Sequence, residues 1–458
     1  MTTERKSIHG QWSGRLAFIL AATGSAVGLG NIWKFPYIAG ENGGGSFVLV
    51  YLACIAMIGL PIMMAEIMLG RRGRQSPVNT MTTLASEEGR SEGWVLLGWL
   101  GVITGFLILS YYSVIAGWAL SYVFRTGSGM FIGVTADGVD SIFTNLVSDA
   151  EHLLAWHTIF MVMTMMVVAR GVKAGLEKAV TLLMPLLFGL LLLIVGYSMT
   201  TGHFAQAVDF MFTPGKISGK AVLVAMGHAF FTLSLGMGAI MVYGSYLPKK
   251  TSITQAAFMI VIADTAVALL AGLAIFPIVF ANGLEPDKGP GLIFHTLPIA
   301  FGHMEGGTLI GVSFFVLLVF AAWTSAISLI EPAVAWLVEN RGMKRVYASV
   351  WIGVLTWAVG LGSVFSFNIW QDKTWSVPFL FDNANFFDTL DFLTANIMLP
   401  MGGLFIALFA GWMMRESSSR NEFVTWPFVY RGWHFLVRYV TPVAVLIVFL
   451  NAIGVIKF

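Results

Sequence analysis

The chain has 458 residues, 57% of them hydrophobic and 11% charged, with a formal net charge of +2 and a mean hydropathy of +0.80. No soluble globular domain has that composition, and the near-neutral charge argues against nucleic acid as a partner. The lone cysteine, Cys54, excludes a disulfide framework and any cysteine-based metal site.

Crossing a bilayer takes about 20 mostly apolar residues. The chain reads as eleven such spans, near 13–38, 43–69, 94–124, 153–169, 179–200, 221–246, 254–282, 307–337, 347–366, 389–413 and 433–456, numbered 1 to 11 in that order. An all-α integral membrane protein follows, one transmembrane domain over 1–458 without a soluble domain or long linker. Arg5, Lys6 and Arg15 precede or open the first apolar run, which lacks a short core ending in a cleavage site. Span 1 therefore reads as retained rather than as a signal peptide.

Span 1 is broken in its middle. Val27-Gly28-Leu29-Gly30 puts two glycines at bilayer depth, Asn31 follows, and Lys34 adds a cation. Glycine weakens a helix interior by about 1 kcal/mol relative to alanine, and each unsatisfied backbone group in hydrocarbon costs several kcal/mol more. Such a break is tolerated where the freed amides and carbonyls face a cavity or a ligand. Discontinuous helices at the midplane are how transporters build substrate and ion sites.

Further along, span 2 carries Glu66 and span 8 carries Glu331, both read as caps for exposed backbone at the breaks. Segment 125–152, with Asp137, Asp140, Asp149 and Glu151, reads as a solvated loop. Span 6 repeats the device of span 1: Thr232, Ser234, Gly236 and Gly238 interrupt its centre. One G-x-G in a membrane helix often means only close packing, but two breaks, each beside hydroxyls or an amide, favour a cavity. Span 7 holds Asp264, a membrane-depth carboxylate and so functional by default. Segment 283–306, with Pro286, Pro290 and Pro298, is too apolar and too long for a plain loop and reads as a re-entrant or capping hairpin.

Basic residues set the orientation. With the N-terminus inside, nineteen Lys and Arg fall in cytoplasmic segments, against six outside: Arg125, Lys216, Lys220, Lys288, Lys373 and Lys457. The N-terminus is expected in the cytoplasm and, with an odd number of spans, Phe458 outside. Such a chain belongs in the cell's inner (plasma) membrane as a multi-pass protein.

SAVGLGNIWKFPYIAGENGGGSF in span 1, FFTLSLGMGAI in span 6, FAAWTS in span 8 and GLEKAVTLLMP in span 5 resemble the neurotransmitter:sodium symporter family over essentially the whole chain. They are nearest its bacterial amino-acid transporters. The resemblance implies a five-plus-five inverted repeat, with halves near 12–200 and 220–413, span 11 added at 433–456, and spans 1 and 6 broken opposite each other. Paired broken helices are a known property of this family. It implies sodium-driven uptake of an amino acid by alternating access.

The amides around Leu29 and Gly30 begin the outer half of span 1, where exposed N–H groups and the helix dipole favour a carboxylate. Carbonyls near Ala26, Phe231 and Ser234 can accept from an ammonium group. By resemblance, Tyr112 on span 3 meets the carboxylate, and Ser25, Ile108, Phe231, Met237, Ala326 and Leu329 line the side-chain pocket. That pocket is apolar, fits an aliphatic or aromatic amino acid, and with Met237 and Ala326 favours larger ones. Gly28, Thr232 and Ser325 complete the expected substrate shell.

Sodium is a hard cation that takes oxygen ligands. The resemblance implies one ion at the Ala26 carbonyl, Asn31, Thr232, the substrate carboxylate and a span 7 residue, with Asp264 assigned there. A second ion falls between the Gly24, Val27 and Ala321 carbonyls, Thr324 and Ser325; an isolated Thr-Ser pair would more simply bond back to its own helix. No organic cofactor is expected. On span 7, Asp264 falls near where chloride-dependent members place Asn, and Ala268 where they place a chloride-binding Ser, while His228 replaces a Gln on span 6. Asp264 is therefore expected to supply the fixed charge that chloride supplies elsewhere.

By the same resemblance Lys34 and Asp391 form the external ion pair, Phe231 and Tyr112 the lid, and Trp12, Tyr246 and Glu339 the cytoplasmic closure. The family's N-terminal Arg has no counterpart here: His9 holds the spacing, with Arg5 and Lys6 as alternatives. Gly175 and Pro185 keep the nine-residue separation of members whose helix 5 unwinds. A membrane enzyme would need a convergent catalytic set; HExxH does not occur, and His152, His157, His203, His295 and His303 are scattered toward segment ends. A channel would need a continuous polar path or a multi-subunit filter. The alternative left open is a proton-coupled amino-acid transporter of the same fold.

Overall fold

The computed structural model describes every residue except 1–4, 6, 287–290, 378–380, 424–425, 453–454 and 457–458. Lys6, Lys288, Pro290, Lys457 and Phe458, invoked above, lie outside the described residues. Among those described, nine helices are long and apolar enough to cross a membrane, and a tenth span is the bent pair Arg15–Ala26 and Gly30–Glu41, which meet at 51°. The two pieces of span 6, Gly219–Thr232 and Ala239–Ser245, are each too short to cross alone. The architecture is thus the all-α membrane fold expected, with spans 1 and 6 broken.

Both breaks follow from local backbone chemistry. After Ala26, Val27 turns to an extended conformation (φ −69°, ψ 107°) and ends the inner half of span 1. In span 6, Ser234, Gly236 and Gly238 all take positive φ (54°, 82° and 74°), which a continuous right-handed helix cannot accommodate. Gly236 also needs to lack a side chain, because a Cβ there would lie 2.6 Å from the Leu399 carbonyl oxygen.

The two longest helices, Glu92–Gly127 (span 3) and Gly307–Arg341 (span 8), pack against each other and flank the breaks. Their approach is close enough that a Cβ on Gly105 would sit 2.6 Å from the Leu329 carbonyl oxygen. Small residues at such crossings let backbones touch where apolar lipid supplies no drive for association.

Two segments between spans carry structure of their own. Region 125–152 is no plain loop, for it contains the helix Ala136–Ser148, which buries Val139 and Leu146. Val139, Ile142, Phe143 and Leu146 follow helical spacing, and the flanking acids obscured that pattern. Segment 283–306 holds the short apolar helix Leu292–His303, whose Phe294 packs edge-on against Trp118 of span 3.

Candidate functional site

The breaks in spans 1 and 6 meet. Ser234 Oγ donates to the Ser25 carbonyl at 2.8 Å, tying the interruption of span 6 to the end of the inner half of span 1. Ser325 Oγ, from span 8, lies within donating distance of three carbonyls of the same stretch: Gly24 at 3.3 Å, Ser25 at 3.1 Å and Val27 at 3.1 Å. Its neighbour Thr324 turns the other way, donating to Phe320 and Ala321 carbonyls of its own helix. Gly24 nevertheless faces it, since a Cβ on Gly24 would be 3.2 Å from Thr324 Cβ. The Gly24 and Val27 carbonyls and Ser325 Oγ thus meet at a seam between spans 1 and 8, while Thr324 Oγ1 stays on the Phe320 and Ala321 carbonyls of its own helix.

A second polar cluster lies on the outer side of the break. Asn31 Oδ1 accepts from Gly28 N–H at 3.0 Å, and its Nδ2 donates to Asp264 through both the carboxylate (2.8 Å) and the main-chain carbonyl (3.1 Å). Thr232 Oγ1 donates to the same carboxylate, at 3.2 and 3.3 Å. Asn31, Thr232 and Asp264 are all buried, Asp264 completely. In this conformation the Asp264 carboxylate is thus satisfied by two protein donors, the Asn31 amide nitrogen and the Thr232 hydroxyl.

Between the clusters is a cavity of about 20 Å³, lined by Ser25, Ala26, Gly28, Leu29, Gly30, Ile108, Tyr112, Phe231, Ser234, Met237, Ser325 and Leu329. In this conformation that is room for about one water. Thr232 and Ala326 do not line it; both are buried, Thr232 turned to Asp264. Tyr112 Oη accepts from Leu29 N–H at 3.1 Å, so the hydroxyl sits over the first amides of the outer half-helix. Gly28 is hemmed in, since a Cβ would meet Ser325 Oγ at 2.5 Å and Tyr112 Oη at 2.8 Å.

Phe231, Tyr112 and Leu29 also form the floor of an outer cavity of about 410 Å³, walled mainly by aromatic rings such as Trp33, Trp118 and Phe294. Lys34 and Asp391 both face this cavity, yet they form no ion pair within 4 Å among the described residues. The Lys34 ammonium lies 4.6 Å from the centre of the Phe231 ring instead. The external pair expected from sequence is therefore apart in this conformation, with Lys34 stacked on the lid.

The side of the fold against which the N-terminal segment packs is shut by polar contacts. Trp12 Nε1 donates to the Tyr243 carbonyl at 3.0 Å and its amide donates to the Tyr246 carbonyl at 3.1 Å. Glu339 accepts from the Ser76 amide at 2.8 Å and from Asn79 Nδ2 at 2.8 Å, and His9 Nε2 is 3.1 Å away. Arg5 is directed elsewhere, pairing with Glu87. Ser13 is held by Glu177 in the wide turn Val172–Glu177 that opens span 5, beside Gly175.

Two of the carboxylates behave differently from each other. Glu66 caps a break as expected, accepting from Gly236 N–H at 2.9 Å. Glu331 does not: it pairs with both guanidinium Nη atoms of Arg345 and accepts from Tyr246 Oη at 2.7 Å. Arg345 opens the next helix, fourteen positions on, so the two meet only through the turn after span 8. Ser328 was also not singled out. Its hydroxyl accepts from Ser25 Oγ at 2.7 Å, and its place three residues after Ser325, on the same helix face, was the available signal.

Comparison with known proteins agrees with this geometry. The model of the sodium:neurotransmitter symporter family matches residues 9–130 and 140–457. The chain is 38% identical over 462 residues to an uncharacterized sodium-dependent transporter of Bacillus subtilis, YhdH, covering 100% of both chains. It is 31% identical over 461 residues to an uncharacterized sodium-dependent transporter of Haemophilus influenzae, covering 98% of this chain and 99% of that one. Among solved structures, MhsT in complex with L-phenylalanine superposes with a TM-score of 0.88 at 42% identity, covering 97% of this chain and 99% of that chain. With two broken spans meeting at buried oxygen clusters, and with matches of this extent, the chain is a multi-pass membrane transporter and belongs to the sodium:neurotransmitter symporter family.

Proposed function

We propose that this protein takes up a hydrophobic amino acid, aliphatic or aromatic, together with sodium, by alternating access and without a need for chloride. The observation that carries the reading is the Asn31–Asp264–Thr232 cluster beside the exposed amides of Leu29 and Gly30. A cation held at that cluster would lie against the place where a substrate carboxylate binds. One sodium ion is held by the Ala26 carbonyl, Asn31, Thr232, Asp264 and the substrate carboxylate. A second is held by the Gly24, Val27 and Ala321 carbonyls with Thr324 and Ser325.

The substrate carboxylate lies on the Leu29 and Gly30 amides and the Tyr112 hydroxyl, and its ammonium on carbonyls near Ala26, Phe231 and Ser234. Ile108, Met237 and Leu329 receive the side chain, and among the described residues no charged one lines that cavity. The L-phenylalanine bound to MhsT, 42% identical to this chain, supports a substrate of this class. Because the cavity is small in this conformation, substrate entry requires Phe231 and the outer half of span 1 to move apart. Asp264 carries the fixed negative charge beside the ions, which is why chloride is dispensable. The protein works in the inner (plasma) membrane with its N-terminus in the cytoplasm and its C-terminus outside.

The test is a thermal-shift or scintillation-proximity screen of the twenty amino acids on purified protein, in sodium and in potassium. Stabilisation by a few apolar amino acids in sodium only is the expected result. Binding indifferent to the cation would instead favour the proton-coupled alternative. Replacing chloride with gluconate should leave uptake into proteoliposomes unchanged, and a sharp fall would overturn the role given to Asp264.

A further inference from the structure

We infer that Arg438, set between aromatic rings where spans 10 and 11 meet, binds the phosphate group of an anionic phospholipid. The inference stands apart from the ion and amino-acid sites above.

The level of Arg438 in the membrane follows from its place in the chain. After it no charged residue occurs until Lys457, and the apolar run 439–456 rises about 27 Å as helix, against roughly 30 Å for the hydrocarbon core. Arg438 therefore stands where hydrocarbon gives way to headgroups. The packing agrees. Trp412, in the last turn of span 10, donates from Nε1 to the Arg438 carbonyl at 2.8 Å, and a Cβ on Gly411 would lie 2.9 Å from Arg438 Cα. Trp412 and Tyr439 are both exposed, and Trp and Tyr are the residues that collect at a membrane boundary.

The protein leaves the charge of Arg438 unmatched. Its Cζ lies 4.3 Å from the centre of the Trp412 ring and 5.6 Å from that of Tyr439. Ring faces attract a guanidinium but offer its N–H groups no oxygen. Nε is buried without a hydrogen-bond partner, and among the described residues the side chain forms no ion pair with an Asp or Glu. Neighbouring cations are matched: Arg71 takes Glu422 and Arg415 takes Glu88. A cation at membrane depth marks a functional site by default, and here its partner has to come from outside the chain.

A phospholipid of the adjoining leaflet supplies it. The two non-bridging oxygens of a phosphodiester share one charge and match the fork of a guanidinium. No carboxylate stands beside Arg438 to receive the ammonium of a zwitterionic headgroup, so a headgroup with net negative charge is favoured. Arg415, Arg420, Arg431 and Arg438 outnumber Glu416 and Glu422 in this stretch, which adds to that preference. Exposed Phe435, Val443 and Leu446 on the same helix give the acyl chains an apolar surface, which a free phosphate would not use. Span 11 is the least buried of the continuous spans described, and a lipid seated at Arg438 pins it to span 10.

The experiment titrates the full chain in detergent with phosphatidylglycerol, with phosphatidylcholine of the same acyl chains, and with inorganic phosphate. Thermal melting and native mass spectrometry of retained lipid are the readouts. Phosphatidylglycerol is expected to raise the melting temperature by several degrees, and the other two to leave it unchanged. Arg438→Gln should weaken the apparent affinity for phosphatidylglycerol about five- to tenfold. Arg438→Lys keeps the charge, loses the fork and should weaken it less. Arg431→Gln, at an exposed arginine of the same helix, should bind as the wild type does. Wild-type affinity in Arg438→Gln, an equal response to phosphatidylcholine, or an equal loss in Arg431→Gln overturns the inference, and an equal response to inorganic phosphate overturns the lipid as the source. If Arg438→Gln folds poorly, Arg438→Lys and the comparison of the three anions and lipids on the wild type still decide it. No arm needs sodium or an amino acid, so its outcome and that of the transport reading are separate.

Discussion

Asn31 and Asp264 are 233 positions apart in the chain, yet Asn31 Nδ2 lies 2.8 Å from Asp264 Oδ1 inside a fully buried pocket. The same Asn31 accepts from Gly28 N–H with its oxygen. One side chain thus joins the break in span 1 to the one carboxylate of span 7. Removing that carboxylate's charge is the sharpest perturbation of the proposed ion site. Asp264→Asn should weaken sodium-dependent amino-acid binding about ten- to a hundredfold, in line with about 1.5–3 kcal/mol for a hydrogen bond to a charged group. Sodium titrations of substrate binding, with potassium holding ionic strength constant, check it.

Ser325 and Thr324 are adjacent but unequal. Ser325 reaches the carbonyls of the span 1 break, whereas Thr324 bonds back to its own helix. Ser325→Ala should raise the sodium concentration for half-maximal binding about fivefold, on the scale of about 1 kcal/mol per hydrogen bond, and Thr324→Ala should raise it less. Equal effects of the two substitutions would mean that Thr324 turns toward the ion once it binds.

Tyr112→Phe keeps the ring that closes the cavity and removes the hydroxyl that now accepts from Leu29 N–H at 3.1 Å. Amino-acid affinity should drop about fivefold, for about 1 kcal/mol lost, with little change in thermal stability. A saturation curve at fixed high sodium is the appropriate measurement.

Gly236 combines a φ of 82° with a Cβ position 2.6 Å from the Leu399 carbonyl oxygen. Gly236→Ala meets the left-handed penalty of about 1–2 kcal/mol and a backbone clash besides. The melting temperature in detergent should fall by several degrees in either cation, since the defect lies in the fold of the break and not in ion binding.

Glu331 is completely buried and its charge is matched by Arg345. Arg345→Met should destabilise the protein by about 3–5 kcal/mol by leaving a carboxylate unpaired. Arg345→Met combined with Glu331→Gln should recover a large part of that loss, because a neutral amide costs far less to bury. A double-mutant cycle in thermal stability decides it.

The membrane class, the two broken spans and the polar seam at 24–31 were legible in the sequence, because each is a local property. Apolar run length reports the bilayer, and paired glycines beside Asn31 or Ser234 report a helix that cannot continue through hydrocarbon. What the sequence could not decide was which partner each long-range polar group takes. By resemblance His9 holds the spacing of the family's N-terminal Arg, with Arg5 and Lys6 as alternatives, and only the packed structure sends His9 to Glu339 and Arg5 to Glu87. Glu331 read as a backbone cap, yet it is Glu66 that reaches the span 6 break while Glu331 faces Arg345. The helix at Ala136–Ser148 was hidden by its acids, since its apolar face has meaning only against the residues that cover it. Such choices depend on helix rotation and on the direction in which each Cβ leaves its backbone. Local composition does not encode these; the close packing of the spans does.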